Sequence, residues 1–250
     1  NNLKIHKRAI DARNKRNIKF VYIVDLTFKD EKKIWDKYQN DPHLSRVEPT
    51  SHIAINGDRP LSNPPIVIGA GPAGLFAALY LARYGYQPIL LERGPAVEER
   101  AKSIDKFWQR GELDPEANVQ FGEGGAGTFS DGKLTTRVRD ERTINVLTDL
   151  VGAGAHVDIL IDSQPHIGTD VLRKVIRNIR RKIIEEGGQV KFNSKVTDLI
   201  IEDNKIKGVE VNGQKIIKSE VVMLAIGHSA RDTYQMLKEK EIDLKPKPFS

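Results

Sequence analysis

Residues 66–94 read IVIGAGPAGLFAALYLARYGYQPILLERG and alternate between apolar runs and turns. The run Ile66–Ile68 is typical of a buried strand, and a glycine-rich turn leads from it into Leu75–Tyr84, which has the composition of a helix. Gly85 marks the end of this helix, and Pro88–Leu91 forms a second short strand. The order strand, turn, helix, strand predicts a βαβ unit with two parallel strands.

The turn between the first strand and the helix carries three glycines at the spacing G-x-G-x-x-G. Gly69 permits the tight turn, Gly71 lets the backbone approach a pyrophosphate, and Gly74 lets the helix pack closely on the strand. The first helical N–H groups and the positive end of the helix dipole favour an anion here. We therefore predict a dinucleotide site that includes Gly69, Gly71, Pro72, Ala73 and Gly74.

The second strand ends in an acidic residue followed by a basic one, Glu92 and Arg93. A carboxylate at this position can accept hydrogen bonds from both hydroxyls of an adenosine ribose, and its charge repels a 2′-phosphate. Arg93 beside it leaves NADP open as a minor alternative. Both residues are predicted to contact the cofactor.

The composition of the 250-residue chain, with 39% hydrophobic and 30% charged residues, excludes disorder as the main state. The lack of cysteine excludes disulfides, a thiolate zinc site and a cysteine-ligated iron–sulfur cluster, so electron transfer requires a bound cofactor. Prolines and glycines interrupt the uncharged stretch 60–82, which is therefore not predicted to span a membrane. A signal peptide is not visible, and a cytoplasmic location is expected.

The first 60 residues supply most of the net charge of +6, since they contain 13 Lys or Arg against 8 Asp or Glu. We interpret this charge as a solvated basic face, with RNA association through this segment as the alternative. The pattern predicts a small α+β domain with a linker over residues 1–60. Its predicted elements are a basic helix at His6–Arg16, a strand at Ile18–Phe28, a helix at Glu31–Tyr38, a strand at Arg46–Ile55 and a linker at Asn56–Pro65.

Two helices and a set of short strands follow the βαβ unit. The helix predicted at Asp170–Glu186 has a strong apolar stripe and a basic face that we expect to be solvated. Asp203-Asn204 and Asn212-Gly213 occupy the positions of two-residue hairpin turns, which predicts a three-stranded meander. The apolar run Val221–Ile226 is expected to be a parallel strand buried on both faces. The other predicted elements are a helix at Val97–Gln109 and strands at Gln189–Asn193, Val196–Glu202, Lys205–Val211 and Gln214–Lys218.

The segment from Ile66 to Gly94 resembles the N-terminal FAD-binding segment of flavoproteins with two dinucleotide-binding folds. In that class a meander interrupts the sheet and the chain returns through a strand ending in Ala-Thr-Gly. Ala225-Ile226-Gly227 matches this ending, with Ile in place of Thr. The resemblance therefore implies FAD rather than NAD. Two more segments, FGEGGAGTFSDGKL at 121–134 and QPHIGTD at 164–170, resemble the bacterial family of uncharacterised FAD-dependent dehydrogenases. The resemblance implies an α/β fold, in which a Rossmann-like FAD-binding domain over 61–250, with a parallel sheet and a β-meander, follows the small α+β domain.

The loop Gly122–Gly132 is rich in glycine, which suits a backbone that lies flat against a planar ring. The resemblance implies that this loop contacts the flavin. Lys133 could place positive charge near the ring, with a surface lysine as the alternative, and Ser130 and Asp131 are expected to shape the turn. The predicted cofactor site thereby adds Gly124, Gly125, Ala126, Gly127, Lys133, Val196, Ala225 and Gly227.

The resemblance implies a FAD-dependent oxidoreductase of the dehydrogenase type, with NAD(P)H as a candidate electron donor. The alternative is a FAD- or NAD(P)-binding module without catalysis. His166 and His228 are candidate proton-transfer groups, but neither has a visible partner and no catalytic residue is assigned. The sequence has no Ser-His-Asp spacing, metal-binding His pair or Gly-Lys-Ser element that would indicate a hydrolase or nucleotidase. A small-molecule substrate is expected rather than a membrane or nucleic-acid partner.

Flavoproteins of this class complete their FAD-binding fold with a later strand and a Gly-Asp segment, after a substrate domain. Neither occurs before Ser250, so we expect the chain to be the N-terminal part of a longer protein that also lacks its natural start. We expect such a part to keep the adenosine side of the site and to bind FAD weakly.

Overall fold

A computed structural model describes residues 2–47, 60–129, 132–134, 140 and 142–246. The strands among these residues are β1 (Asn2–Asp11), β2 (Lys19–Thr27), β3 (Ile66–Ile68), β4 (Ile89–Leu91), β5 (Gln189–Lys191), β6 (Val196–Glu202), β7 (Lys205–Val211), β8 (Lys215–Lys218) and β9 (Val222–Leu224). The helices are α1 (Glu31–Tyr38), α2 (Pro72–Arg83), α3 (Val97–Arg110), α4 (Thr143–Gly152), α5 (Thr169–Glu185) and α6 (Arg231–Glu239). None of the helices in these ranges has the length and apolar character needed to cross a membrane.

The contacts between residues divide the chain into two compact units. The first unit consists of Asn1–Gly57 and Lys133–Ile167, and the second consists of Asp58–Gly132 and Gly168–Ser250. This division differs from the two continuous domains predicted over 1–60 and 61–250, because the segment 133–167 groups with the first unit.

The first unit begins with an antiparallel hairpin of β1 and β2. The helix predicted at His6–Arg16 is therefore wrong, whereas the strand predicted at Ile18–Phe28 is confirmed as β2. Apolar residues of β1 lie opposite apolar residues of β2, as Leu3 does with Leu26. Such cross-strand pairs stabilise the extended conformation. They cannot be seen in the sequence of β1 alone, because each pair includes a residue of β2.

The segment 133–167 contacts the hairpin through Arg8. The backbone N–H of Arg8 donates to the carbonyl of Ile161 at 2.6 Å, and its carbonyl accepts from the N–H of Ser163 at 2.9 Å. Its guanidinium donates to the carboxylates of Asp158 and Asp162, both at 2.8 Å. These bonds join parts of the chain that are far apart in sequence, which is why the sequence did not predict this grouping.

The helix predicted at Glu31–Tyr38 is confirmed as α1. The side chain of Asp30 accepts a hydrogen bond from the N–H of Lys33 at 3.3 Å and so caps the helix. Most of the strand predicted at Arg46–Ile55, and the start of the predicted linker Asn56–Pro65, lie outside the described residues.

The second unit is built on a parallel sheet with the strand order β5-β4-β3-β9. Every residue of β3 and β4 is buried, because both strands are central and both faces of the sheet are covered. Ile66 and Leu91 pack on one face against residues of β6, β7 and α6, and α2 contacts both strands. The βαβ unit predicted from residues 66–94 is confirmed.

Strand β9 lies at one end of this strand order, next to β3. The parallel pairing agrees with the prediction, but the expected burial on both faces is wrong, since Met223 is 38% exposed and Leu224 is 44% exposed. Within the described part of the chain only β3 pairs with β9, so this edge strand keeps side-chain contact with solvent.

Strands β6, β7 and β8 form the predicted antiparallel meander. At its second turn, Asn212 and Gly213 have φ angles of 55° and 67°. Asp203 and Asn204 at the first turn have φ angles of 49° and 55°. Positive φ at both central residues is the property of the type I′ turn, whose twist matches that of a hairpin.

Helices α3 and α5 confirm the helices predicted at Val97–Gln109 and Asp170–Glu186. The basic face of α5 is not uniformly solvated as expected. Arg180 pairs with acidic side chains, and the guanidinium of Arg173 lies 4.6 Å from the ring centroid of Phe129. The expected burial of the apolar stripe is found at Leu172, Val175, Ile176, Ile179 and Ile183.

Candidate functional site

A cavity of about 760 Å³ opens at the carboxyl ends of β3, β4 and β9. Ligands of open α/β sheets bind at this edge, and the volume is within the usual range for small-molecule sites. The predicted site residues in its wall are Gly69, Gly71, Pro72, Ala73, Glu92, Arg93, Gly125, Ala126, Val196, Ala225 and Gly227. The predicted residues that do not line it are Gly74, Gly124, Gly127 and Lys133.

The three glycines of the turn after β3 meet three different surroundings. Gly69 has a φ of +98°, and a Cβ on it would lie 2.5 Å from the carbonyl oxygen of Ala225. A Cβ on Gly74 would lie 1.8 Å from the carbonyl oxygen of Gly69, so this position holds α2 against the turn. A Cβ on Gly71 would have no protein atom within 4 Å. The backbone at Gly71, the N-cap of α2, is therefore open to the cavity.

Glu92 is nearly buried, at 4% exposure, and its carboxylate binds the backbone of two segments, the glycine turn after β3 and the segment after β4. Its Oε2 accepts from the N–H of Ala70 at 2.7 Å, and its Oε1 accepts from the N–H of Gly94 at 2.9 Å. A carboxylate has about four acceptor positions, so each oxygen keeps one for a hydroxyl group. Glu92 thus fixes the glycine turn beside the cavity that it lines.

The glycine-rich loop after α3 contacts the glycine turn directly. Gly124 donates its N–H to the carbonyl of Ala70 at 2.8 Å, and a Cβ on Gly125 would lie 3.1 Å from Cδ of Pro72. Gly125 and Ala126 line the cavity. Ser130 and Asp131 lie outside the described residues.

A group of charged side chains holds this loop, and we call it the buried cluster because its centre, Arg100 and Glu123, is fully buried; Arg180 and the exposed Glu98 lie at its edge. Arg100 is fully buried, and its guanidinium donates to four carbonyl groups of the segment 118–123 at 2.6–3.4 Å. Because a guanidinium has five donors and no acceptor, Arg100 satisfies carbonyls that a loop would otherwise bury without partners. Burial lowers the pKa of Arg100 to about 10.

Glu123 is the acidic centre of the buried cluster. Its Oε2 accepts from the N–H of Val97, in the first turn of α3, at 2.8 Å and from Arg180 at 2.9 Å. Arg180 also binds Glu98 at 2.7 Å. Burial raises the pKa of Glu123 above its ordinary value, against the attraction of Arg180. The cluster therefore connects the glycine-rich loop to α3 and α5.

A second group of charges, the rim cluster, consists of Arg93, Lys195, Glu116 and Asp232. Arg93 binds Asp232 through Nη1 at 2.9 Å and Nη2 at 2.7 Å, and it binds Glu116 through Nε and, at 3.0 Å, Nη2. Lys195 Nζ lies 2.7 Å from the carboxylate of Asp232 and 3.2 Å from that of Glu116. Both edges of the guanidinium are thus occupied by carboxylates.

The rim charges stabilise one another. Hydrogen bonds from Arg93 hold the pKa of Asp232 below its ordinary value. Burial alone would lower the pKa of Arg93, but the hydrogen bonds to Asp232 and Glu116 outweigh it and raise that pKa. The guanidinium carbon of Arg93 also lies 4.7 Å from the ring centroid of Phe121, another residue of the cavity wall.

The segment between β9 and α6 forms a further part of the wall. Gly227 has a φ of +66°, and its carbonyl accepts a hydrogen bond from the hydroxyl of Tyr234 at 2.8 Å. His228 lines the cavity with its Nε2 3.4 Å from the hydroxyl oxygen of Ser229. This geometry assigns no proton-transfer role to His228.

Lys133 and His166 lie opposite each other in an isolated antiparallel bridge of the first unit. The N–H of Leu134 donates to the carbonyl of Pro165 at 3.0 Å beside this bridge. The structure therefore gives both residues a backbone pairing role, and the contact of Lys133 with a flavin stays a prediction.

The sequence analysis missed the side chains that fix this site, namely Arg100, Glu116, Glu123, Lys195 and Asp232. Glu123 gave no local signal, because a charged residue among glycines is also typical of a solvated loop. The others are single charged residues in helices and loops, and only the tertiary fold brings them together.

Comparisons with known proteins agree with this geometry. The family NAD(P)-binding Rossmann-like domain matches residues 67–122. An uncharacterized protein of Clostridium beijerinckii is 47% identical over 249 residues, which make up 99% of this chain and 46% of that protein. The digeranylgeranylglycerophospholipid reductase of Haloferax volcanii is 28% identical over 169 residues, covering 66% of this chain and 35% of the reductase. The chain thus spans less than half the length of these two relatives.

Among solved structures, THI4 of Thermovibrio ammonificans aligns over 72% of this chain and 64% of its own, with a TM-score of 0.46 and 16% identity. Glycine oxidase of Bacillus cereus aligns over 72% of this chain and 60% of its own, with a TM-score of 0.40 and 15% identity. The parallel sheet around its glycine turn gives the second unit a Rossmann-like fold, as residues 66–94 predicted, and the family match covers the same segment.

Proposed function

We propose that the second unit binds the adenosine diphosphate part of FAD and that the chain is part of a flavin-dependent oxidoreductase. The observation that carries the proposal is that one cavity wall combines the glycine turn, the start of α2, Glu92 and the glycine-rich loop. A reductase among the relatives supports the same class of chemistry.

The open backbone at Gly71 suits the diphosphate. No side chain occupies the space where a Cβ would stand, and the first N–H groups of α2 lie beside that space. Pro72 begins the helix without requiring a hydrogen-bond partner of its own. Phosphate oxygens would accept from the remaining N–H groups of the first turn, at the positive end of the helix dipole.

The neighbouring wall suits an adenosine. The free acceptor positions of Glu92 can receive hydrogen bonds from the ribose hydroxyls. Apolar side chains of the wall provide contact area for the adenine ring.

FAD supplies hydride and electron transfer when it is bound, and the described side chains hold and orient it. The chain contains no cysteine, so a dithiol among its own residues does not compete with this proposal. The buried cluster fixes the glycine-rich loop beside the turn, which would place its backbone against the part of the cofactor beyond the diphosphate.

Binding is tested by titrating FAD and ADP into three chains, the wild type, Gly71→Ala and the control Gly152→Ala. A methyl group at Gly71 meets no protein atom but enters the space proposed for the diphosphate, so affinity for both ligands is expected to fall about tenfold or more, as for one lost charge-assisted contact. Gly152 also has no atom within 4 Å of an added Cβ and does not line the cavity, so its variant is expected to bind as the wild type does. Equal affinities of all three chains would contradict the proposal.

The same titration tests the expectation of weak FAD binding, since tight, stoichiometric binding by the wild type would show it to be wrong. The proposed activity is tested on a longer protein that contains this chain. Anaerobic bleaching of its bound flavin by NADH or NADPH is expected for an oxidoreductase. A flavin that dithionite reduces but that neither NADH nor NADPH reduces would favour a binding module.

A further inference from the structure

We propose that Glu116 and Asp232 make the nucleotide site selective for adenine dinucleotides with a free ribose 2′-hydroxyl, because they hold the guanidinium of Arg93 and the ammonium of Lys195 in ion pairs. This inference rests on the proposed function of the cavity. It assigns a specificity role to two acidic residues that do not contact the glycine turn.

Two cations line the cavity together with Glu92, the residue proposed to bind the ribose. Arg93 follows Glu92 directly, and Arg93 and Lys195 both line the cavity. In Rossmann-like sites an arginine near the acidic residue is the group that accommodates a 2′-phosphate. Judged by residue type alone, Arg93 and Lys195 could bind the 2′-phosphate of NADP.

The ion pairs of Arg93 prevent it from binding a 2′-phosphate in this way. A guanidinium recognises phosphate through two parallel N–H bonds from one edge. On Arg93 the edge made by Nη1 and Nη2 binds Asp232, and the edge made by Nε and Nη2 binds Glu116. A 2′-phosphate would have to displace a carboxylate before it could bind either edge.

Lys195 is held in the same way. Its ammonium group contacts the carboxylates of Asp232 and Glu116, at 2.7 Å and 3.2 Å. The two positive and two negative charges of the rim cluster cancel, so Glu92 is the charged group of the cavity wall that remains beside the proposed ribose position, with the buried Arg100 behind the wall. A dianionic 2′-phosphate there meets net repulsion, whereas a hydroxyl group meets acceptors.

The two acidic residues come from separate segments. Glu116 lies in the loop after α3, and Asp232 lies in the first turn of α6. Their side chains are 40% and 42% exposed, whereas the side chain of Arg93 is 14% exposed. Neutral amides at these two positions keep the shape of the site and leave two uncompensated cations, which reverses the sign of the local charge.

The test compares the binding of ADP-ribose and 2′-phospho-ADP-ribose by isothermal titration calorimetry at low ionic strength. The wild type is expected to prefer ADP-ribose. In the double variant Glu116→Gln/Asp232→Asn, the affinity for 2′-phospho-ADP-ribose relative to ADP-ribose is expected to rise about tenfold, as for one gained charge-assisted hydrogen bond. Adding both Arg93→Met and Lys195→Met to the double variant is expected to remove this gain.

A charge-matched control, Asp105→Asn/Glu112→Gln, changes the net charge equally at two exposed residues outside the rim cluster. Its preference is expected to remain that of the wild type. An unchanged preference in the double variant, with native circular dichroism, would overturn the inference and leave the nucleotide site in place. The single variant Asp232→Asn frees one edge of Arg93 and repeats the test with a smaller change. If the inference is wrong, its preference is also expected to equal that of the wild type. A wild type that binds neither ligand would overturn both the inference and the proposed function.

Discussion

The buried cluster and the rim cluster use the same kinds of charged side chain beside one cavity, but they differ in contact with water. Arg100 and Glu123 are fully buried, whereas the side chains of Glu116 and Asp232 are 40% and 42% exposed. Breaking a buried pair leaves an uncompensated charge without solvent, and breaking an exposed pair does not. The buried cluster therefore determines the stability of the loop, and the rim cluster can change its charge with little effect on the fold.

The largest effect is expected for Arg100→Met. The substitution leaves four loop carbonyls without their donor and removes the positive charge near Glu92 and Glu123, so the free energy of unfolding is expected to fall by about 3–5 kcal/mol. Urea denaturation measures this change. The same substitution at Arg110, an exposed residue of the same helix, is the control and is expected to have little effect. Equal losses for the two variants would contradict the distinction between the clusters.

A smaller loss is expected for Arg93→Met. Two bidentate pairs and the contact with Phe121 disappear, but the carboxylates left behind reach solvent and keep Lys195, so the expected loss is about 1–2 kcal/mol. Thermal or urea unfolding checks this value against Lys102→Met, which removes an exposed pair with Glu99. A loss of unfolding free energy as large as that of Arg100→Met would show that the rim cluster stabilises the fold as much as the buried cluster does.

The smallest effect concerns pH. The pKa values of Asp232 and Glu116 lie below their ordinary values of 3.8 and 4.5, so the folded chain binds fewer protons at these groups than the unfolded chain does. Their stabilisation is complete above the ordinary values and is lost as the pH falls through the lowered ones. The difference in unfolding free energy between the wild type and Asp232→Asn is expected to be about 0.5–1 kcal/mol at neutral pH.

Acid titration of both chains checks this prediction, and the difference is expected to shrink as the pH falls below 3.8. Subtracting the variant from the wild type removes the contribution of Glu123, whose raised pKa acts in the opposite direction. A difference that grows on acidification would contradict the account of the rim cluster.

Local patterns were sufficient for the βαβ unit and the meander. The glycine turn at 69–74 and the Asn212-Gly213 turn each specify a backbone conformation within a few residues, and the structure contains both as predicted. The hairpin of β1 and β2 was not predicted from β1, because its strand pairing and the contacts of Arg8 are made with residues distant in sequence. The same reason applies to the two clusters, whose members come from different helices and loops.

The exposure of β9 is a different kind of failure. An apolar run such as Val221–Ile226 predicts a strand, but it carries no information on whether another strand lies beside it. The sequence therefore predicted the strand β9 and its parallel pairing, but it did not predict that β9 lies at the edge of the sheet.

The proposed function depends on binding of the diphosphate of an adenine dinucleotide at the start of α2. A crystal structure of the chain grown with ADP tests it most directly. We expect phosphate oxygens within hydrogen-bond distance of the backbone N–H groups that follow Gly71, and ribose hydroxyls within hydrogen-bond distance of the Glu92 carboxylate. Density for ADP at another position, or a glycine turn without nucleotide at saturating ADP, would contradict it.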